Sequence, residues 1–204
     1  MILTSWGYTL TALDNLPDML TVEEFNNYTA RKYMTDIRVE KNIKAAGAAI
    51  RNYCGWHVYP GAACKLLSTV QNARVSRVGG DVLIQLPARF VSAVESVKIG
   101  GDTCEFTFET NGLLRVYDVS ICDRKTAVEV EYTAGVPANM MDAIKELIAH
   151  RVTHALASSS GVQSDTAGGV SITYSANWIN SARATALADD NKEVLQPYRL
   201  EGVF

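Results

Sequence analysis

The chain has 204 residues, of which 48% are hydrophobic, so it is long and apolar enough to bury a substantial core. Its 19 basic and 22 acidic side chains give a formal net charge of −3. That balance leaves no excess of basic side chains to neutralise nucleic-acid phosphates, which argues against DNA binding as the main activity. The four cysteines lack Cys-x-x-Cys spacing, and we expect them to be reduced, buried thiols. The sequence shows neither a signal-peptide pattern at its N-terminus nor an apolar run of about 20 residues. We therefore expect a soluble protein that is made in the cytoplasm.

Two helix signals in the first quarter of the sequence organise the rest of the chain. Thr21 and Glu24 form a Thr-x-x-Glu capping box, which predicts a short helix from about Val22 to Met34. A second helix is expected from Thr35 or Asp36 to Cys54, where apolar residues recur every three or four positions. Gly55 supplies the left-handed residue that ends it. The residues before 21 suggest an ordered arm.

The second helix carries a run of small residues, Ala45 to Ala49. Small side chains allow another helix to approach closely, and close packing would compensate for the helix propensity that Gly47 lacks. A long helix predicted over 137–160 is the expected partner, because its apolar residues also recur at helical spacing. We therefore expect a helical hairpin over 21–60 that packs against this long helix.

Between these helices the period of the apolar residues changes from helical to two. Residues 81–86 and 91–99 predict strands, and Gly100-Gly101 and Asn111-Gly112 predict tight hairpin turns. Phe106 and Phe108 alternate with polar residues and are expected to face a core. The segment 61–72 is expected to be a short, partly helical link. The sequence thus predicts an α+β fold: a helical bundle with an inserted small antiparallel β-sheet of four to five strands, over residues 75–133.

The C-terminal part is predicted to be a loop and an arm. Residues 161–169 have loop composition, Val170 begins a short alternating strand, and a final helix is expected over 185–195, before Pro197. Large aromatic side chains near this end either pack on their own helices or anchor a subunit interface. They are Trp178, Tyr198 and Phe204. We expect all of residues 1–204 to form a single domain.

Three metal-capable side chains stand at four-residue steps on the long helix. They are Glu146, His150 and His154, which lie one above another. His-x-x-x-His can bind zinc, but the pattern lacks the glutamate beside the first histidine of a metalloprotease, and Arg151 would repel a cation. Solvated or interfacial histidines are the alternative. A cysteine–histidine nucleophile is also conceivable, although nothing in the sequence singles one out.

Several motifs occur in an order that resembles the head–tail connector (adaptor) proteins of tailed phages. The first group comprises the Thr-Val-Glu-Glu helix start and the helix end Ile-Arg-Asn-Tyr-Cys-Gly-Trp at 50–56. The second comprises Tyr-Thr-Ala-Gly-Val-Pro at 132–137 and the long helix from Met140 to Ala157. The third comprises the segment 161–174 and Leu-Gln-Pro-Tyr-Arg at 195–199. The resemblance covers nearly the whole chain.

This resemblance implies a non-enzymatic virion protein without a cofactor. Such proteins form a ring, commonly a dodecamer, beneath the portal and bind a tail-side stopper or tail-completion protein. DNA would pass through the channel without specific binding, and no membrane is involved. The resemblance implies contacts with neighbouring subunits or the portal at Ser164, Asp165, Gly168, Gly169, Val170, Tyr174, Tyr198 and Arg199. With Trp178 these form the predicted interface.

Two other functions remain open at this point. One is a small metal-dependent hydrolase that uses His150 and His154. The other is a regulatory adaptor that binds a soluble cellular partner. A head-completion protein next to the adaptor in the virion would have similar helices.

Overall fold

A computed structural model describes residues 2–3, 9–11, 16–29, 37–119, 123–158, 164–167, 170–173 and 189–200. The chain divides into two compact units. One, here called the sheet unit, comprises Met1–Pro17, Cys54–Met140 and Tyr198–Phe204; the other, the helical unit, comprises Asp18–Tyr53 and Met141–Pro197.

A six-stranded antiparallel sheet forms the larger part of the sheet unit, in the order β1-β2-β3-β10-β6-β7. Its strands are β1 (Ile2–Leu3), β2 (Thr9–Thr11), β3 (Ala62–Thr69), β6 (Val91–Ile99), β7 (Asp102–Thr103) and β10 (Ala127–Ala134). Along β10, Val128, Val130 and Tyr132 are buried, as the alternation of the sequence predicts. On the opposite face Glu131 lies across from Lys65, whose ammonium it meets at 3.1 Å.

A second antiparallel sheet of four strands has the order β4-β5-β9-β8. Its strands are β4 (Val75–Val78), β5 (Asp81–Gln85), β8 (Phe106–Phe108) and β9 (Leu113–Val116). Asn111-Gly112 turns the chain between β8 and β9, and Gly100-Gly101 turns it between β6 and β7, so both predicted hairpins are confirmed. All three of these glycines have positive φ, which explains the residue type.

The helical unit contains α1 (Val22–Thr29), α2 (Ile37–Cys54, whose last residue, Cys54, already belongs to the sheet unit), α3 (Asp142–Ser158), α4 (Asp189–Leu195) and the hairpin of β11 (Ser164–Ala167) and β12 (Val170–Thr173). A 3-10 turn, Ala138–Met140, precedes α3, and Gln196–Tyr198 forms another after α4. None of the helices in the described part of the chain is both long and apolar enough to cross a membrane.

The predicted capping box is present at the start of α1. The Thr21 hydroxyl accepts from the Glu24 N–H at 3.1 Å, and Glu24 Oε2 accepts from the Thr21 N–H at 2.8 Å. Glu24 also binds Lys145 Nζ at 2.5 Å. The cap that begins α1 therefore also ties α1 to α3.

The predicted helical bundle with an inserted small sheet is wrong. Strands occupy about as much of the described chain as helices, and they form two substantial sheets instead of one small insert. One reason is the segment 61–72, which was expected to be a partly helical link. It contains β3, whose Cys64 and Leu66 are buried while Lys65 between them faces solvent, and which pairs with β2 and β10.

The small residues of α2 divide between two environments. Ala45 and Ala48 are exposed, whereas Ala46 and Gly47 are buried, so the close helix packing expected along this run stays a prediction. Among the described residues, a methyl group added to Gly47 would meet Met19 Cγ, at 4.0 Å. The core position expected for Phe108 is wrong too, because β8 lies at the edge of its sheet and leaves this side chain exposed.

Candidate functional site

Tyr198, one of the predicted interface residues, is an internal anchor of the sheet unit. Only 9% of it is exposed, and its ring stacks on Phe90 with centroids 5.9 Å apart. Its carbonyl accepts a 2.6 Å hydrogen bond from the indole N–H of Trp56, and its hydroxyl donates to the Met140 carbonyl at 3.2 Å. The Leu200 N–H donates to the Cys54 carbonyl at 3.0 Å. These contacts attach residues 198–200 to other parts of the sheet unit, at Cys54, Trp56, Phe90 and Met140.

Two non-glycine residues beside this anchor have left-handed backbones. Val58 has φ 64° and Phe90 has φ 55°, and such values are rare for a β-branched or bulky residue. Their carbonyls hold the segment that resembles the connector lead-in, since the Val136 N–H donates to Val58 and the Gly135 N–H donates to Phe90. Gly135 itself lies so close to Gly61 that an added Cβ would come within 2.5 Å of the Gly61 Cα. The left-handed backbones of Val58 and Phe90 and the hydrogen bonds that their carbonyls accept thus fix the segment that leads into the 3-10 turn before α3.

The predicted loop at 161–169 contains a strand, and this strand is part of a β-hairpin. Ala167 pairs with Val170, so only two residues of the sequence, both glycines, connect β11 to β12. The strand predicted from Val170 is confirmed as β12. Within the described chain β11 and β12 pair only with each other. A two-stranded hairpin is at best marginally stable in water by itself, so packing against a further surface would stabilise this one.

The structure brings three of the nine predicted interface residues together in this hairpin: Ser164, Asp165 and Val170. Gly168, Gly169, Tyr174 and Trp178 lie outside the described residues. Tyr198 is buried and Arg199 is half-buried, and both belong to the sheet unit. A role of these nine positions in an interface stays a prediction, and for Tyr198 it competes with a clear internal one.

His150 and His154 face each other across one turn of α3. Their Nε2 atoms are 3.0 Å apart and their rings meet edge to face with centroids at 4.3 Å. One Nε2 must donate and the other accept, so the pair as it stands holds a shared proton. Burial and the neighbouring His150 lower the pKa of His154, which favours its neutral form. Glu146 is exposed and does not complete a three-ligand cluster with them; nor does any such cluster occur elsewhere in the described ranges.

Of the cysteines that the structure describes, two are buried in the sheet unit. Burial raises the pKa of the Cys54 thiol and of the Cys64 thiol to about 12, so both are protonated and unreactive at neutral pH. Cys104 is half-exposed, and Cys122 lies outside the described residues. The third histidine, His57, is buried and donates from Nε2 to the Ala134 carbonyl at 2.8 Å, which makes it a structural residue.

Sequence reasoning missed several exposed apolar side chains. Ile37, the first residue of α2, is 81% exposed, and Val78 at the end of β4 is 54% exposed. A usable signal existed for Val78, because it directly precedes the Gly79-Gly80 turn, where a strand is expected to end. Singly exposed apolar residues such as these, and Phe108 on the edge strand β8, are normal on a protein surface and do not by themselves mark a contact site.

Comparison with known proteins identifies the family of the chain. No curated protein matches the chain significantly. A family model described as "Head completion protein", however, matches residues 18–199, which is nearly the whole sequence and includes residues of both units. The chain therefore belongs to the head completion protein family, structural proteins of the phage head, and the resemblance to phage head–tail connectors is confirmed.

Proposed function

We propose that this protein forms a ring beneath the portal, a dodecamer as is common among connectors, and joins the filled capsid to a tail-side protein. The observation that carries the proposal is the head-completion match over residues 18–199, because it extends through the very segments whose order resembles head–tail connectors. A structural protein of the phage head is a component of the virion, and contacts with other head and tail proteins are part of that role.

The hairpin β11–β12 supports a role in assembly. It contains Ser, Asp, Thr and Ala on one strand and Val, Ser, Ile and Thr on the other. Backbone groups at the outer edges of a two-stranded hairpin are ready to pair with a strand of another chain. A head-to-tail ring needs two different complementary patches on each subunit, and this hairpin would be one of them.

The charge distribution supports passage of DNA without specific binding. Beyond the net charge of −3, several surface cations are already paired: Lys44 with Glu40, Lys65 with Glu129 and Glu131, and Arg115 with Asp81. A paired cation releases fewer counterions when it meets a phosphate, so it contributes less to affinity for DNA. We expect no retention of duplex DNA at physiological salt.

A structural role also suits the chemistry of the described side chains. The buried thiols are held protonated by their raised pKa, and the histidine pair lacks a third ligand and a base in the described ranges. Neither arrangement favours the nucleophile or the hydrolase considered from the sequence. We therefore propose that the protein acts by binding and not by catalysis.

The test is reconstitution with purified portal rings, combined with native mass spectrometry and electron microscopy. The wild-type chain should add to the portal as a closed ring with one copy per portal subunit or a fixed fraction of it. A variant in which residues 164–173 are replaced by a Gly-Ser linker of equal length should fold, by circular dichroism, but lose ring formation or portal binding.

The matched control is Ser76→Ala, which alters an exposed residue of the sheet unit outside the nine predicted contacts. It should bind the portal as the wild type does. A wild-type chain that never associates with portal, alone or in filled capsids, would refute the proposed function. A linker variant that assembles normally would refute only the role of the hairpin.

A further inference from the structure

The histidine pair on α3 has the geometry of a two-ligand metal site. We propose that His150 and His154 bind one divalent transition-metal ion of the zinc, nickel and copper group through their Nε2 atoms. This inference does not depend on ring formation, and it assigns no catalytic activity to the site.

The distance between the two nitrogens carries the argument. With metal–nitrogen bonds of about 2.05 Å, two ligands at a tetrahedral angle lie about 3.3 Å apart, and two at a right angle lie about 2.9 Å apart. The observed separation of 3.0 Å falls between these values. A metal ion could therefore take the place of the shared proton after side-chain adjustments of a few tenths of an ångström. Little conformational entropy would be lost on binding, because both rings are already held on one face of α3.

Exposure favours the same conclusion, because metal binds the neutral imidazole only where the ion can reach it. His150 is exposed and His154 half-exposed, so an ion can reach both rings from solvent.

The ligand set determines which ions fit. Two imidazole nitrogens suit Zn²⁺, Ni²⁺ and Cu²⁺, whereas Mg²⁺ and Ca²⁺ require oxygen ligands. Affinity should follow the usual order, in which Cu²⁺ exceeds both Ni²⁺ and Zn²⁺. Two nearby charges act on the bound ion. The carboxylate of exposed Glu146, one turn before His150, attracts the ion, and the guanidinium of half-buried Arg151 repels it.

The experiment uses the full chain without a polyhistidine tag. Isothermal titration calorimetry and native mass spectrometry with Cu²⁺, Ni²⁺ and Zn²⁺ should each show one ion per chain. His150→Gln and His154→Gln should each weaken binding at least tenfold, because one remaining imidazole cannot chelate. Electron paramagnetic resonance of the Cu²⁺ form should show hyperfine coupling to two nitrogens in the wild type and to one in either variant.

Glu146→Gln is the matched control: it changes a metal-capable residue on the same helix and should leave stoichiometry and the nitrogen coupling unchanged. Excess Mg²⁺ or Ca²⁺ should not displace the bound ion. Absence of binding to the wild type would overturn the proposal. So would stoichiometric binding that survives in the His150→Gln, His154→Gln double variant, because the ion would then be held elsewhere.

Discussion

Gly112, in the turn between β8 and β9, combines a backbone conformation and a packing environment that only glycine tolerates. Its φ is 89°, in the left-handed region where a Cβ clashes with the backbone. A methyl group at this position would also lie 2.3 Å from the Ala88 carbonyl oxygen and 3.4 Å from that of Leu86. Gly112→Ala should therefore destabilise the sheet unit through two separable effects.

The magnitude of each effect can be worked from the structure. The left-handed conformation costs an alanine roughly 1–2 kcal/mol. Ordinary Cβ contacts are no shorter than 3.0 Å, so the turn and Ala88 must separate by the remaining 0.7 Å. That movement strains the 2.8 Å bond from the Leu86 N–H to the Gly112 carbonyl, and leaving a buried group unpaired costs about 1–3 kcal/mol. The total loss is about 3 kcal/mol, or a decrease of roughly 6–12 °C in Tm.

Gly101→Ala separates the two effects in one comparison. Gly101 has a similar φ of 96°, but among the described residues a Cβ there would meet no atom within 4 Å. It should show only the conformational loss of roughly 1–2 kcal/mol. Urea unfolding monitored by tryptophan fluorescence gives both free energies of unfolding. Equal losses in the two variants would show that the contact with Ala88 is not a constraint in solution, and would refute the explanation by two effects.

Three further measurements probe other parts of the fold. Gly47→Ala should stabilise the chain by about 0.5–1 kcal/mol, because α2 has room for the methyl group and alanine has the higher helix propensity; a loss of stability would show a close packing partner there. In the native state a thiol reagent should modify half-exposed Cys104 quickly and Cys54 only at the rate of unfolding, since burial raises the pKa of Cys54 to about 12; equal rates would contradict this burial. Burial acts to raise the pKa of Glu24, but hydrogen bonds from Lys145 and the helix cap outweigh burial, so the pKa is lowered in the folded state. The ionised Glu24 carboxylate therefore stabilises the fold at neutral pH, and this stabilisation is lost as the pH falls below about 4.3, the ordinary pKa of a glutamate. The stability difference between wild type and Glu24→Gln should therefore shrink in acid, and a constant difference would exclude the ion pair as its cause.

Local signals in the sequence predicted much of the fold. The alternation of Val128, Val130 and Tyr132 with two glutamates predicted β10, and the capping box at Thr21 predicted the start of α1. Both succeed because the physical cause lies within a few residues of the signal. The turns predicted from the glycines at 100–101 and 112 are confirmed for the same reason.

The failures arise where the cause is distant in sequence. β3 contains Ala62 and Ala63 at one end and Ser68 and Thr69 at the other, and this mixed composition did not identify it as a strand; it is one because β2 and β10 pair with both of its edges. Exposure of Ala48 on α2 depends on which helices pack where, which composition does not determine. The sequence placed His150 and His154 on one helix face, but only the structure gives the distance between their nitrogens.

The sheet unit is closed by residues that are far apart along the chain, and this has a kinetic consequence. Trp56 and Tyr198 are 142 positions apart, and the whole helical segment from Met141 to Pro197 lies between Met140 and the anchor that binds its carbonyl. Contacts that close so long a loop form late, after local strands and helices have formed. Substitutions at the anchor should then accelerate unfolding while leaving the refolding rate nearly unchanged. The contacts between Trp56 and Tyr198 would thus determine the unfolding rate of the subunit, and hence its lifetime, more than its folding rate.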